Sequence, residues 1–240
     1  MTPPYVASHK DNRPNPSRAP STGVHLVKII DLSHPITAGM PVYPDDPQVT
    51  TATALNIDDD GAAVTRLELG THTGTHLDAP AHTIPGGRTV DQLDLTMLDG
   101  DACILHAQTA QVESLKEQQL GASDLGALPE ELPRIVCIAT GWDQYFHAAL
   151  REHHPYLSLE LAQELWRRGA RVLGVDTLSP DPTSVPSEFL VHEFWLGNDG
   201  VIVENLRQLT ELPDRVHMTI LPLPLTGLDG SPVRAVAHIL

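Results

Sequence analysis

Cysteine is almost missing from this chain: Cys103 in Ala-Cys-Ile-Leu and Cys137 in Ile-Val-Cys-Ile-Ala are its only two. Both lie inside apolar runs, where a thiol behaves as a small hydrophobe. That excludes a disulfide framework and offers no polar setting for a cysteine ligand or nucleophile. Basic residues are also scarce, 15 Lys and Arg against 31 Asp and Glu, for a formal net charge of -16. Such a surface repels phosphate, so neither nucleic acid nor an anionic membrane is expected as the main partner. No stretch approaches the roughly 20 apolar residues of a membrane span, and the N-terminus lacks the apolar core of a signal peptide. A soluble, cytoplasmic protein is the expectation. There is no internal repeat and no Gly-x-Ser-x-Gly elbow, so the usual carriers of covalent hydrolysis are missing and water becomes the expected attacker.

What the chain does have is histidine, concentrated in Thr71-His72-Thr73-Gly74-Thr75-His76-Leu77-Asp78-Ala79-Pro80-Ala81-His82. Neutral imidazoles and carboxylates hold divalent transition metals, and catalytic sites keep a coordination position open. His72, His76 and Asp78 are candidate ligands, with His82 left to serve the chemistry. Helix is disfavoured here by Gly74, by three threonines and by Pro80, which restricts Ala79 to extended conformations. In an extended chain residues 72, 76, 78 and 82 project to one side, although a straight strand separates residues 72 and 76 by about 13 Å. Gly74 is expected to let the chain curl. The other histidines have no comparable company, and His153-His154 reads as a solvated surface pair.

Organisation follows from composition. Residues 1–24 hold five prolines among polar residues and too few apolar groups to offset the entropy of ordering, so a flexible tail is expected there. Residues 25–240 suit a single domain. Strand candidates are Leu26–Leu32, Val64–Leu69, Cys103–Ala107, Ile135–Thr140, Val172–Val175, Met218–Leu223 and Val233–Ile239. The clearest helix runs from Leu159 to Arg168, capped by Ser158 and stopped by Gly169; Gln144–Glu152 is a weaker one. The pattern is α/β: a mixed sheet closing toward a barrel with peripheral helices. A metal needs further ligands, and by chemistry alone His192 and Glu204 compete with Glu188, Glu193 and Asp199. Glu204 follows the strand-like Val201-Ile202-Val203, a weak preference.

The run His72-x-Gly-Thr-His76-x-Asp78-x-Pro80-x-His82 resembles the signature of the cyclase family of metal-dependent hydrolases, whose best-known members are bacterial kynurenine formamidases. The likeness extends to Asp31-Leu32-Ser33, Met40-Pro41-Val42-Tyr43-Pro44, the loop from Gly174 to Pro182 and the stretch from Leu221 to Ala235. What it implies can be carried over residue by residue. His72 and His76 bind one metal, Asp78 and Glu204 bridge two, His192 completes the pair, and His82 donates and accepts protons. The cofactor implied is a pair of zinc ions, with manganese the alternative. The fold implied is a swivelling β/β/α domain in a homo-oligomer. Tyr43 stands where formamidases that process N-formylkynurenine, an intermediate of tryptophan catabolism, place a substrate-contacting tryptophan. The expected activity is therefore hydrolysis of a non-peptide C–N bond in an arylformamide or similar small molecule. Ring opening of an isatin-like cyclic amide or a lactone is the alternative, as is a non-hydrolytic cyclase or dehydratase. Trp142 and Phe194 are further candidates for the substrate pocket.

Overall fold

Apolar residues alternate along most of the strands, and in this chain both faces of the sheet find something to cover them. The computed structural model describes residues 28–183 and 189–239; the tail expected over residues 1–24 lies outside the described residues. In chain order the strands are β1 (Lys28–Asp31), β2 (Thr50–Leu55), β3 (Val64–Glu68), β4 (His76–Asp78), β5 (Asp99–His106), β6 (Gln119–Leu120), β7 (Ile135–Ala139), β8 (Tyr156–Leu157), β9 (Val172–Val175), β10 (Val201–Glu204), β11 (Arg215–Pro222) and β12 (Gly230–Ile239). The helices are α1 (Ile57–Asp60), α2 (Leu159–Arg167) and α3 (Leu190–Gly197), joined by several single-turn 3-10 segments.

The main sheet runs β1-β12-β11-β5-β7-β9-β10-β4, and a further pairing of β4 with β12 closes it into a barrel with β1 appended. Strands β5, β7, β9 and β10 are parallel, while β11, β12 and β4 complete the circle antiparallel. Mixed pairing of this kind is what the sequence pattern predicts.

Period-two alternation divides the core in two. Leu77, Ile104, Cys137, Val172, Val203, Met218 and Ala235 belong to one buried cluster that fills the barrel. Leu105, Val136, Ile138, Leu173 and Ile202 point the other way and pack beneath Leu161 and Leu165 of α2 and Val191 and Trp195 of α3. Helix α2 forms as expected: the Ser158 hydroxyl accepts the Leu161 N–H at 3.1 Å, and Leu161, Ala162 and Leu165 make its buried stripe.

Several expectations are corrected. Gln144–Glu152 is not one helix but two 3-10 turns, Trp142–Tyr145 and Ala149–His153, because Ala148 between them is extended and Pro155 holds His154 extended beyond them. His154 is not a surface residue; it is 2% exposed, while His153 pairs with Glu117 outside. The strand expected over Val64–Leu69 does form, as Val64–Glu68, and among the described residues it pairs only with β2, in a hairpin exposed on both faces. Helix α3 follows residues with no helical start signal, since Phe189 provides no side-chain cap.

Beyond β9 the chain is anchored by Asp176, 2% exposed, which accepts from Thr140 N (2.8 Å), Thr140 Oγ1 (2.6 Å) and Gly141 N (2.7 Å). Asp176→Ala strands three buried donors at the end of β7. We expect it to cost about 3 kcal/mol, read as a lower urea midpoint at unchanged slope; a shift no larger than that of a surface substitution would refute this anchoring role.

Candidate metal centre

Strand β4 supplies the heart of the site. Because Leu77 points into the barrel, His76 and Asp78 point outward, toward α3. Glu204, on the strand beside them, is directly opposite His76 in the register of β10 with β4, and Ile202 is opposite Asp78. His192, on α3, packs down over this face, and all four side chains are nearly inaccessible.

The flanks of β4 bring in the remaining histidines by turning, not by strand alternation. Gly74 adopts a left-handed φ of 62°, open to glycine but strained for a larger residue, and residues 71–75 bend back over the strand. This puts the His72 ring so close to Gly230 that a Cβ there would sit 2.6 Å from His72 Cε1. On the other side Pro80 opens a 3-10 turn, Pro80–His82, which folds His82 back until its ring centroid lies 4.0 Å from that of His72 and 5.7 Å from that of His192.

Each of three imidazoles gives one nitrogen to an outer acceptor and turns the other onto shared carboxylates. His76 Nδ1 donates to the Gly74 carbonyl (2.8 Å), leaving Nε2 3.3 Å from both Asp78 Oδ1 and Glu204 Oε2. His192 Nδ1 donates to Asp181 Oδ2 (2.7 Å), leaving Nε2 3.3 Å from Glu204 Oε1 and 3.7 Å from Asp78 Oδ2. His72 lies between two carboxylates, Asp229 Oδ2 at Nε2 (2.9 Å) and Asp78 Oδ1 at Nδ1 (2.7 Å), and a neutral ring can donate to only one. Asp78 Oδ2 and Glu204 Oε1 are buried and accept no hydrogen bond.

Electrostatics give the same picture. Burial disfavours the His76 cation, yet Asp78 and Glu204 outweigh it and raise the ring to about 10. His72 and His192 are raised likewise against burial, His72 chiefly by Asp78 and His192 by Asp181, Asp78 and Glu204, and Asp78 is held well below the usual carboxylate range by His76, His192 and His72. The pocket demands positive charge at its centre, and the nitrogen and oxygen donors fit a divalent transition metal. Two overlapping ligand groups have donor atoms close enough to share an ion, His76–Asp78–Glu204 and His72–Asp78–His82, with Asp78 in both. His82 differs from the others: its side chain is 30% accessible, its Nδ1 is 3.5 Å from Asp229 Oδ2, and burial holds it below the usual histidine value.

Above these groups is a cavity of about 250 Å³, walled by Tyr43, Phe146, Leu178 and Phe189, with His72, His76, His82, His192 and Glu204 at its floor. A family model, Cyclase, matches residues 30–182. The chain belongs to the cyclase family. It is 30% identical over 211 residues to the kynurenine formamidase of Geobacillus thermodenitrificans, covering 86% of this chain and 95% of that one. To the kynurenine formamidase of Bacillus cereus (strain ATCC 14579) it is 32% identical over 209 residues, with the same coverage. Its fold is that of isatin hydrolase A from Ralstonia solanacearum, with a TM-score of 0.77 at 24% identity over 89% of this chain and 92% of that one. A protein from Bacillus stearothermophilus described as a predicted metal-dependent hydrolase superposes with a TM-score of 0.71 at 25% identity, over 88% of this chain and 98% of that one.

Of the five ligand candidates of this cyclase-family chain, His72, His76, His192 and Glu204 line one cavity together with His82 and Tyr43, and Asp78 is buried beneath them within reach of the three imidazoles. Of the competitors, the two described residues do not line that cavity. Glu193 is exposed, Asp199 pairs with Arg88 at 2.6 Å, and Glu188 lies outside the described residues. Trp142 and Phe194 are corrected too: Trp142, 2% exposed, is buried in the outer core, Phe194 on α3 is partly buried against it, and the cavity's aromatic walls are Tyr43, Phe146 and Phe189.

Sequence reasoning missed the outer acceptors. Asp181 accepts the backbone N–H of Val191 (2.9 Å) and His192 (3.0 Å) as well as the His192 ring, so it fixes both the start of α3 and the imidazole it carries. Asp181→Ala should weaken metal affinity by about 10- to 100-fold, measured by competition with a chromophoric chelator. An unchanged affinity would mean His192 needs no such orientation.

Proposed function

We propose that this cyclase-family protein is a metal-dependent amidohydrolase of the arylformamidase type, cleaving the C–N bond of a small aryl amide such as N-formylkynurenine. The observation that carries the proposal is the convergence of His72, His76 and His192 on Asp78 and Glu204, each ring already satisfied on its far nitrogen. The kynurenine formamidases among its relatives support the substrate class. The apolar, aromatic cavity above the carboxylates supports an aryl group.

His72, His76, Asp78, His192 and Glu204 would hold the cation, and two zinc ions are the reading we favour, with manganese the alternative. When bound, the metal supplies Lewis acidity, making water a competent nucleophile near neutral pH and drawing charge from the carbonyl oxygen. Asp229 Oδ2 lies 3.5 Å from His82 Nδ1, and the His82 ring lines the cavity. His82, held below the usual histidine pKa, can take a proton from the attacking water and return it to the departing nitrogen. Tyr43, Phe146 and Phe189 hold the aryl ring and keep bulk water from the amide.

A homo-oligomer is also part of this reading, supported by the apolar residues Ile29, Ile57 and Leu67 that face solvent on β1 and around the β2–β3 hairpin. Cytoplasmic residence is our reading of two free, buried thiols. No helix among the described residues is long and apolar enough to cross a membrane.

The test is a panel of formanilide, N-formylkynurenine, isatin and simple lactones, assayed on purified protein of measured metal content before and after chelation. Formanilide turnover that disappears with the metal and returns on its restoration is expected. Turnover of isatin or lactones alone would move the assignment to ring opening, and inactivity on all four toward a non-hydrolytic cyclase or dehydratase.

A further inference from the structure

Asn205 is built into the metal centre without being one of its candidate ligands. It follows Glu204 directly at the end of β10, is 5% exposed, and lines the cavity. Both of its backbone groups are committed: the N–H donates to the Thr177 carbonyl (3.0 Å), and the carbonyl accepts from the Thr75 hydroxyl (2.6 Å). These bonds hold the residue in the left-handed region, at a φ of 55°. Glycine adopts that conformation without steric cost and asparagine only with some, so the backbone here does not require a side chain. The packing does not require its polar end either. The carboxamide has no hydrogen-bond partner among the described residues, yet neither of its polar atoms is sealed off, so both reach the space of the cavity. A buried carboxamide left open toward a cavity is a group waiting for a ligand to complete it.

We propose that Asn205 Oδ1 accepts the N–H of the amide being cleaved, so that the site favours amides over esters and lactones of the same shape. Thr75 and Thr177, which fix its backbone, are positioning residues, and Asn205 is the contact. The substrate's carbonyl oxygen belongs to the metal in this reading, but its N–H does not. Brought into an aromatic cavity, that N–H must find an acceptor or forfeit the hydrogen bond it made to water. An ester has no proton to offer there and sets its oxygen against the Asn205 lone pairs. Turning the carboxamide over to present Nδ2 recovers little, because the alkoxy oxygen of an ester is a poor acceptor. This deepens the arylformamidase reading and rests on it for the bond that is cleaved, but not for the recognition of an N–H.

Asn205→Gly removes the carboxamide and suits the left-handed backbone, so the variant should keep its thermal midpoint and its metal content. Two comparisons then test the contact. The first is binding to purified protein of acetanilide and phenylacetone, which differ only in N–H against CH2 beside the carbonyl; it needs no turnover. The ratio of their Kd values should move about tenfold toward phenylacetone in Asn205→Gly. Asn205→Asp, which keeps an acceptor and tolerates the same backbone, should leave the ratio near that of wild type. The second is kinetics on formanilide and phenyl formate, where comparing variant with wild type cancels the difference between the two leaving groups. Asn205→Gly should lower the ratio of their kcat/KM values by about the same factor. A binding ratio unchanged in Asn205→Gly overturns the proposal. A fall in thermal midpoint with that ratio intact makes Asn205 a structural residue and overturns it too. If wild type hydrolyses neither compound, the function reading fails, and the Kd ratio alone judges Asn205.

Discussion

Asp78→Ala should abolish stoichiometric metal binding and lower turnover by on the order of a thousandfold or more. Asp78 is fully buried and belongs to both groups of donors able to share an ion. It faces His72, His76 and His192 at 2.7, 3.3 and 3.7 Å. Without it, three imidazoles crowd one remaining carboxylate, Glu204, and an ion at either position loses a charged donor. The backbone of residue 78 pairs with Ile202 and Gly230 whatever its side chain, so the barrel should still close. Asp78→Asn, which keeps the volume, separates loss of charge from loss of packing. Elemental analysis of the purified variants decides: full occupancy in either one removes Asp78 from the ligand set.

His82→Ala should behave differently, keeping the metal while losing about 10²- to 10⁴-fold in kcat, the usual worth of a positioned proton carrier. The geometry makes this a sharp test, since His82 is also close enough to His72 and Asp78 to join them around an ion. If metal content falls in step with activity, His82 is a ligand and the proton must travel by another group. If neither changes, His82 has no part in the reaction. Only the split between retained metal and lost turnover supports the role assigned here.

Most strands of the main sheet and its mixed pairing are legible in the chain because Val- and Ile-rich runs alternate with turn residues, whereas β2, β6 and β8, which lack such runs, are not; α2 is legible because Ser158, its apolar stripe and Gly169 agree. Helix α3 was not, because what starts it is tertiary: Asp181, eleven residues before His192, receives the N–H groups at its N-terminus. The histidine motif points to a metal site and Gly74 to the bend that brings in His72, but strand alternation does not account for His82. Alternation explains only His76 and Asp78; a left-handed glycine and a 3-10 turn bring in His72 and His82. His192 and Glu204 came from family resemblance, since no local pattern distinguishes them from Glu193 or Asp199. Burial does, and burial is a property of the closed barrel. Asp181 and Asp229 stayed invisible because a carboxylate that orients a ring looks, in sequence, like any loop aspartate.

Strand β4 is only three residues long, yet it pairs with both β10 and β12, and alternate residues on it serve opposite masters. Deleting or inserting a single residue within 76–78 would slide that register by one and exchange the faces, sending an imidazole or a carboxylate into a hydrocarbon interior and a leucine onto the ligand face. An inserted or deleted residue should therefore cost far less in the β2–β3 hairpin, whose strands are exposed along their whole length, than within this strand. The shortest strand in the main sheet is the one whose length has the least freedom to change.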